Sequence, residues 1–182
     1  MIVYDAILLT LHANDELLGS DRLEERPIGR TAMQKLVYFE AQRIPNELYF
    51  KAYYYGPFSP NVSEGLARLG AFGFVREDIP DGDGLAYEYH LTRDGRRLAV
   101  ELAETKEYYG TIKDIVEIAA KHCNLRQLAL AYAGKTHFLR KKSVKGNPRI
   151  SEIAAYGKHF GWTIEEKDVE DGLKLLRALK LA

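Results

Sequence analysis

The sequence has little cysteine and no long hydrophobic run. Its single cysteine, Cys123, rules out a disulfide within the chain, which suits a reducing compartment. No stretch approaches the ~20 apolar residues of a membrane helix. The N-terminal apolar run contains Asp5, His12 and Asp15 and has no small-residue cleavage site. We therefore expect a soluble, cytoplasmic protein with no membrane partner.

Net charge is absent as well. The 182 residues include 26 Lys and Arg and 26 Asp and Glu, which cancel. Since a protein dedicated to polyanions usually carries a basic excess, an electrostatic partner must be inferred here from local asymmetry. A chain of this length can bury roughly 70% of its unfolded surface and needs no staples to fold.

The motifs of common enzyme classes are missing. We find no GxxxxGK[ST] phosphate loop, no GxGxxG after a strand, no HExxH and no CxxC pair. The five histidines lack metal-ligand spacing, and His122 beside Cys123 on a helix would point in a different direction. We expect no enzymatic activity, no cofactor and no metal.

Helical patterns dominate the first part of the chain. Val3, Ile7, Leu8 and Leu11 recur at helical spacing and predict a first amphipathic helix. Thr31, followed three residues later by Gln34, is a capping-box signature for a second helix. The apolar face of that helix is predicted to consist of Met33, Leu36, Val37 and Ala41.

The stretch YYYGPFSP, residues 53–60, follows a short extended segment. It is either an aromatic ligand cage or a structural corner, and we favour the corner. In that interpretation Gly56 and Pro57 turn the chain, and Ser59 and Pro60 cap and start the next helix. The side chains of Tyr53 and Tyr55 would lie on one side of the extended segment, with Phe58 packed beneath the helix.

The alternation of Leu85, Tyr87, Tyr89 and Leu91 with polar residues predicts a hairpin at about 74–92, with its turn at 80–84. Thr92 can cap the helix after it. Helix, helix, extended segment, helix, hairpin, helix is the order of a winged helix-turn-helix. We therefore predict a mainly helical α+β fold, with a winged-helix domain at 1–109 and a helical domain at 110–182.

The C-terminal part contains a second pattern of the same kind. Residues 62–75 align with residues 169–182 through Val, Gly, Leu, Leu and Ala at matching positions. A second, wingless helix-turn-helix-like unit at 150–182 is one explanation. The other is that any amphipathic helix has this spacing.

Several short motifs lie within about the first hundred residues. They are Gly29-Arg30-Thr31, Gln34-Lys35-Leu36, Tyr38, Phe50, Tyr55-Gly56-Pro57-Phe58-Ser59, Leu66, Leu69, Gly73-Phe74-Val75, Tyr87-Glu88-Tyr89-His90-Leu91-Thr92 and Gly95. These motifs resemble those of the YwgA-like winged-helix proteins of bacteria and archaea. The motif Tyr-Gly-Pro-Phe-Ser is also similar, more distantly, to that of Panacea-type antitoxin domains. The resemblance implies a winged-helix fold and no established activity, and the antitoxin similarity implies protein binding.

A winged helix most often binds DNA, with the helix after Ser59 in the recognition position, so a transcriptional regulator is our first hypothesis. A duplex-binding protein typically neutralises roughly 6 to 10 phosphates. From Ser59 to Leu91, however, two basic residues face six acidic ones, a net charge of −4. A protein-interaction module, similar to an antitoxin or adaptor and using the acidic wing and the aromatic corner, is therefore the alternative.

The candidate contact residues lie at the start of the second predicted helix, in the helix that starts at Ser59, and in a basic stretch of the C-terminal part. The stretch from Lys135 to Arg149 is basic, with His137 and Phe138 as added aromatic surface. It could follow a phosphate backbone, form a solvated loop or pair with the acidic wing. A homodimer through Leu98, Ala99 and Leu102 is a further hypothesis. The candidates for nucleic-acid or partner contact are Arg30, Lys35, Ser59, Asn61, Ser63, Arg68, Arg140, Lys141, Lys142 and Lys145.

Overall fold

The computed structural model describes residues 1–20, 27–79, 87–143 and 148–182. The predicted turn at 80–84 and the candidate Lys145 lie outside the described residues. The mainly helical α+β class is confirmed. The elements are α1 (Val3–Ser20), α2 (Arg30–Arg43), β1 (Lys51–Tyr53), β2 (Gly56–Phe58), α3 (Pro60–Ala71), β3 (Val75–Asp78), β4 (Glu88–Leu91), α4 (Arg93–Thr105), α5 (Tyr109–Cys123), α6 (Gln127–Lys142), α7 (Ile150–Gly157) and α8 (Glu166–Ala178).

The strands form two separate antiparallel pairs. β3 pairs with β4 so that Val75 lies opposite Leu91, and Ile28, ahead of α2, bridges to Tyr89 on the other side of β4. Tyr89 and Leu91 are buried, as the alternation predicted. The second pair, β1 with β2, is a hairpin inserted between α2 and α3.

The central element of the fold is α2. We predicted one apolar face, but every residue from Ala32 to Glu40 is buried, because α1, α3, α5, α6 and β2 all pack against this helix. A helix surrounded in this way buries its polar positions along with its apolar ones. One continuous core runs from Ala6 in α1 to Leu179 after α8 and includes residues from both predicted domains.

Two buried polar residues of α2 each meet a different neighbouring helix. The Tyr38 hydroxyl lies 2.8 Å from Nδ1 of His137 in α6. Burial, with Lys141 and Arg140 nearby, lowers the pKa of His137 to about 4, so its ring is neutral at pH 7 and can accept this bond. Glu40 lies 2.7 Å from the Thr10 hydroxyl of α1. These contacts fix the rotation of α2 relative to both helices.

Helix boundaries follow the predictions in part. Thr92 caps α4 by accepting a hydrogen bond from the Gly95 amide, as expected. The capping box at Thr31 is wrong: α2 begins at Arg30 after Gly29 without a side-chain cap, because Gln34 bonds elsewhere. α6 continues to Lys142, so the basic segment from Lys135 to Lys142 is helical and not a loop.

The aligned segments in α3 and α8 occupy similar environments. Gly65 of α3 lies against α1, where a Cβ atom would approach Ile7 Cδ1 to 2.8 Å. Gly172 of α8 lies against α6, where a Cβ atom would approach Ala133 Cα to 3.1 Å. Both glycines allow close helix packing. The second helix-turn-helix-like unit stays a prediction, as does the domain boundary at residue 109.

The protonation of Glu40 predicts a pH-dependent stability. Burial raises the pKa of Glu40 from 4.5 to about 8. The Thr10 hydroxyl, with one hydrogen to give, lies 2.7 Å from both Glu40 Oε1 and Ala6 O. At neutral pH a protonated Glu40 can therefore donate to Thr10 while Thr10 donates to the carbonyl. Between about pH 4.5 and 8 the folded chain retains a proton that the unfolded chain releases, so stability falls as pH rises.

We expect Glu40→Gln to remove this pH dependence, because an amide can donate to Thr10 at every pH. Relative to the parent, the variant should gain on the order of a few kcal/mol between pH 4.5 and 8, measured by urea unfolding at several pH values. Glu101→Gln, at an exposed position on α4, is the matched control. Parallel pH profiles of the parent and Glu40→Gln would contradict the assignment.

Candidate binding site at the tyrosine hairpin

Residues 51–58, which contain the YYYGPF segment, form a tight hairpin that we call the tyrosine hairpin. Its turn consists of Tyr54 and Tyr55, and Gly56 with φ +102° begins the return strand. The prediction that Gly56 and Pro57 form the turn is therefore displaced by two residues. The exposed fractions of Tyr53, Tyr54 and Tyr55 are 49%, 76% and 57%. Three adjacent tyrosines thus present aromatic surface to solvent.

The base of the hairpin is held by Gln34. Its Oε1 accepts a hydrogen bond from the Ser59 amide at 2.9 Å, and its Nε2 donates to Ser59 O at 3.0 Å and to Ser63 Oγ at 3.1 Å. The side-chain amide thus uses both its donor and its acceptor on the segment that starts α3. Hydrogen bonds from Gln34 thus connect the Gln-Lys segment of α2 with the Gly-Pro-Phe-Ser segment in this chain.

Lys35 holds the same segment from the next position. Its Nζ donates to Pro57 O at 2.7 Å. Burial, with Lys135 nearby, lowers the pKa of Lys35 to about 7. Lys35 was a candidate for nucleic-acid or partner contact, but only 2% of the residue is exposed, so it does not present its side chain to a macromolecule.

The C-terminal part of the chain supports the other strand. Trp162 Nε1 donates to Tyr53 O at 2.7 Å. The Tyr53 ring also packs against Phe58 in β2 with a centroid distance of 5.0 Å. The hairpin is therefore held at its base by both α2 and the segment before α8, while its tip stays exposed.

A cavity of about 290 Å³ lies between the tyrosine hairpin, α2 and α3. Its walls are mostly aromatic and aliphatic, and its polar groups come from α2, α3 and the β3–β4 pair. We call it the hairpin cavity. Its lining residues are Arg30, Thr31, Gln34, Lys35, Tyr53, Tyr55, Gly56, Phe58, Ser63, Leu66, Ala67, Glu77 and Tyr89.

A larger groove of about 1130 Å³ lies between the start of α2, the α5–α6 connection and α8. Its basic lining residues include Arg30, Arg126 and Lys174. Its acidic lining residues are Glu88, Asp168 and Asp171. Lys174 is already paired with Asp171 at 2.7 Å. Charges of both signs therefore line this groove, and it has no single electrostatic preference.

The arginines around α3 are all engaged by carboxylates. Arg30 bonds Glu77 at 2.8 Å and the Tyr89 hydroxyl at 2.9 Å, and its guanidinium stacks 3.5 Å from the Tyr87 ring centroid. Arg68 pairs with Glu64 one turn earlier in α3. The third, in β3, is Arg76, which pairs with Asp78 at 2.7 Å. The positive charge of these three arginines is thus neutralised within the chain.

The predicted contact residues on α3 have different fates. Asn61, Ser63 and Arg68 are exposed, as expected for a contact face. Ser59 is fully buried, and its Oγ has no hydrogen-bond partner within the described part of the chain, so it neither caps the helix through its side chain nor reaches a surface. Pro60 occupies the first helical position as predicted.

The basic segment is divided between core and surface. Lys135, His137 and Phe138 are buried, which contradicts the expectation of a solvated stretch with exposed aromatic rings. Lys141 and Lys142, at the exposed end of α6, remain as surface cations, with the partly buried Arg140 beside them. Lys141 donates to Gln42 Oε1 at 3.0 Å, which places this cluster beside the end of α2.

The apolar stripe of α4 packs within the chain. Ala99 is fully buried, and Leu98 and Leu102 are partly buried against the core. The three residues proposed as a dimer face are therefore largely used by intramolecular packing. The homodimer stays a hypothesis.

Three side chains that shape this site were not predicted to do so: Tyr54 and Trp162 were not candidates, and Lys135 was considered only as part of the basic stretch. Tyr54 is the most exposed tyrosine of the hairpin. Its only signal in the sequence is its place one residue before the Tyr-Gly pair. Lys135 and Trp162 lie more than 70 residues away in sequence, and no local pattern connects them with the hairpin.

Comparison with known protein families finds no model that matches this chain, and comparison with curated proteins finds no match either. Among residues 1–20, 27–79, 87–143 and 148–182, no group of three His, Cys, Asp or Glu side chains comes together to hold a metal ion. Within the same residues, no helix is both long enough and apolar enough to span a bilayer.

We expect Gln34→Met to destabilise the fold strongly. Methionine fills a similar volume but leaves the buried Ser59 amide without its acceptor, at a cost of about 1–3 kcal/mol in addition to the other lost bonds. Urea unfolding should show a loss of about 2–4 kcal/mol. Gln42→Met, on the half-exposed end of the same helix, is the control and should cost less than about 1 kcal/mol. Equal losses for both variants would show that the hydrogen bonds of Gln34 to Ser59 and Ser63 do not stabilise the fold.

Proposed function

We propose that this chain is a winged-helix protein-interaction module that binds its partner through the tyrosine hairpin and the exposed face of α3. The winged-helix assignment is supported by the order α1, Ile28, α2, α3, β3, β4, in which Ile28 adds to the edge of the β3–β4 pair. α3 then takes the recognition position and β3–β4 the wing. The β1–β2 hairpin occupies the place of the short turn between the two helices.

The observation that carries the proposal is the contrast between exposed aromatic rings and neutralised charge. Tyrosine is enriched at protein interfaces, because it buries a large apolar area and keeps a polar hydroxyl. Tyr53 and Tyr55 share the hairpin cavity with Ser63 and Ala67 of α3, and Tyr54 between them in sequence is the most exposed of the three. Such a surface suits a protein partner.

Electrostatics argue against a duplex on the same face. Arg30, Arg68 and Arg76 would each have to leave an intramolecular carboxylate before contacting a phosphate. When unpaired Lys and Arg side chains of a protein contact phosphates, counterions are released from the DNA. This release supplies most of the affinity of non-specific DNA binding. The face around α3 therefore offers little of the driving force that a regulator needs.

Nucleic-acid binding is the second candidate, supported by the cations at the end of α6. Lys35 contacts Gly134, Tyr38 contacts His137 and Gln42 contacts Lys141, so α2 and α6 run side by side in the same direction. The cluster at 140–142 therefore lies near Gln42. Gln34, which contacts the start of α3, is eight residues away, or roughly 12 Å along the α2 axis. A nucleic acid bound there would not depend on the recognition position.

Site-specific photocrosslinking tests the protein-partner proposal. A photoreactive phenylalanine analogue at Tyr54 should crosslink one partner protein in cells, and the same analogue at Leu128, an exposed apolar site on α6, should not. With that partner purified, Tyr54→Ser plus Tyr55→Ser should weaken binding about tenfold or more, whereas Leu128→Ser should leave it unchanged. Equal crosslinking at both positions, or unchanged affinity of the double variant, would refute the proposed surface.

Duplex titrations at two salt concentrations separate the second candidate from the first. We expect little binding, and any that occurs should be lost when Arg140, Lys141 and Lys142 are all changed to Gln, because these three clustered cations have no carboxylate partner within the described residues. Asn61→Ala plus Arg68→Gln should have no effect. Binding that depends on these two α3 residues would instead support a DNA-binding regulator.

A further inference from the structure

Two buried lysines lie against the base of the tyrosine hairpin. Lys35 in α2 is 2% exposed and Lys135 in α6 is 8% exposed. Both approach Gly56: a Cβ atom at this position would lie 3.3 Å from Lys35 Cε and 3.1 Å from Lys135 Cγ. The two side chains thus come from different helices to one point beneath the hairpin.

These two amines have few partners for their depth. In the described part of the chain, Lys35 has one acceptor, Pro57 O, and Lys135 has ring contacts alone, at 5.5 Å from Tyr132 and 5.6 Å from Trp162. Within the described residues, neither forms an ion pair. A buried ammonium without a counter-charge is costly, so such groups usually pair with an anion or lose their proton.

The lowered pKa values of both lysines correspond to the second response, loss of the proton. Burial and the neighbouring Lys135 lower the pKa of Lys35 to about 7. Burial also lowers the pKa of Lys135, with Asp168 acting in the opposite direction. An anion placed against Lys35 would supply the missing counter-charge and satisfy donors that the chain leaves unused.

We propose that the hairpin cavity binds a small aromatic anion, whose carboxylate or phosphate group pairs with the amine of Lys35. Lys35 and Gly56 both line this cavity, and the Lys35 side chain ends beside Gly56. The site shares Tyr53, Tyr55 and Ser63 with the partner-binding surface proposed above, but its anion pairs with Lys35, which that surface does not use.

The cavity walls define the rest of the ligand. Tyr53, Tyr55, Phe58 and Tyr89 provide aromatic surface, which favours a planar ring. Its volume of about 290 Å³ lies at the lower end of ligand sites, so the ligand is a single small ring system. The carboxylate in the lining, Glu77, is already paired with Arg30 and does not compensate Lys35.

Gly56 lets the hairpin pack closely on both lysines at the base of the site. Its φ of +102° is a conformation that side chains other than glycine rarely adopt, and any Cβ atom would press on both lysines. The glycine therefore meets two requirements at once. It allows the tight hairpin and the close packing of the hairpin on Lys35 and Lys135.

The test uses the full chain and four probes: benzoate, phenyl phosphate, neutral benzamide and inorganic phosphate. In NMR spectra of protein labelled with ¹⁵N at the lysine side chains, benzoate or phenyl phosphate should shift the Lys35 Nζ signal, and benzamide should not. Lys35→Met should weaken binding of the aromatic anion about tenfold or more, because a charge-assisted bond is lost. Lys174→Met, at an exposed lysine on α8, is the matched control and should have no effect.

Four outcomes would overturn the proposal. They are no shift of the Lys35 signal with either aromatic anion, equal binding of benzamide, equal binding of inorganic phosphate, and unchanged affinity of a folded Lys35→Met variant. Because Lys35 also bonds Pro57 O, the variant can lose stability, and the Nζ signal of the unaltered chain then decides the question by itself.

Discussion

The position of α3 depends on the side-chain amide of Gln34. This group replaces a missing backbone partner for Ser59 by accepting from its amide, and it donates to the carbonyl of the same residue. Since the segment before α3 belongs to neither a helix nor a strand ladder, its buried polar groups need such a partner. The direction of α3 and the position of the tyrosine hairpin both depend on this contact.

The same logic extends along α2. Gln34 reaches the start of α3, Lys35 the hairpin, Tyr38 the helix α6 and Glu40 the helix α1. Apolar packing alone would tolerate some rotation of a helix buried on all sides, but four polar side chains with four different partners do not. The polar groups therefore define one arrangement of the neighbours, while apolar burial supplies most of the free energy of folding.

Local patterns in the sequence predicted local structure well. Pro60 at a helix start, the Thr92 cap and the alternation around Tyr89 are properties of a few adjacent residues, and the structure confirms them. The burial of Lys35 and Lys135 could not be predicted, because it depends on elements a hundred residues apart. The turn at Tyr54 and Tyr55 was missed for a different reason. Tyrosine is not a typical turn residue, whereas glycine and proline are, so the turn was predicted at Gly56 and Pro57.

Fold and charge lead to different expectations about function, and their conflict can be located in particular side chains. The recognition position of a winged helix predicts DNA binding, yet Arg30, Arg68 and Arg76 are each engaged by carboxylates of the same chain. A macromolecule approaching α3 must also approach the inserted hairpin, because Tyr53 and Tyr55 share one cavity with Ser63 and Ala67 of α3. On the proposed function, the β1–β2 hairpin places aromatic surface beside α3 and favours a partner that can bury tyrosine rings.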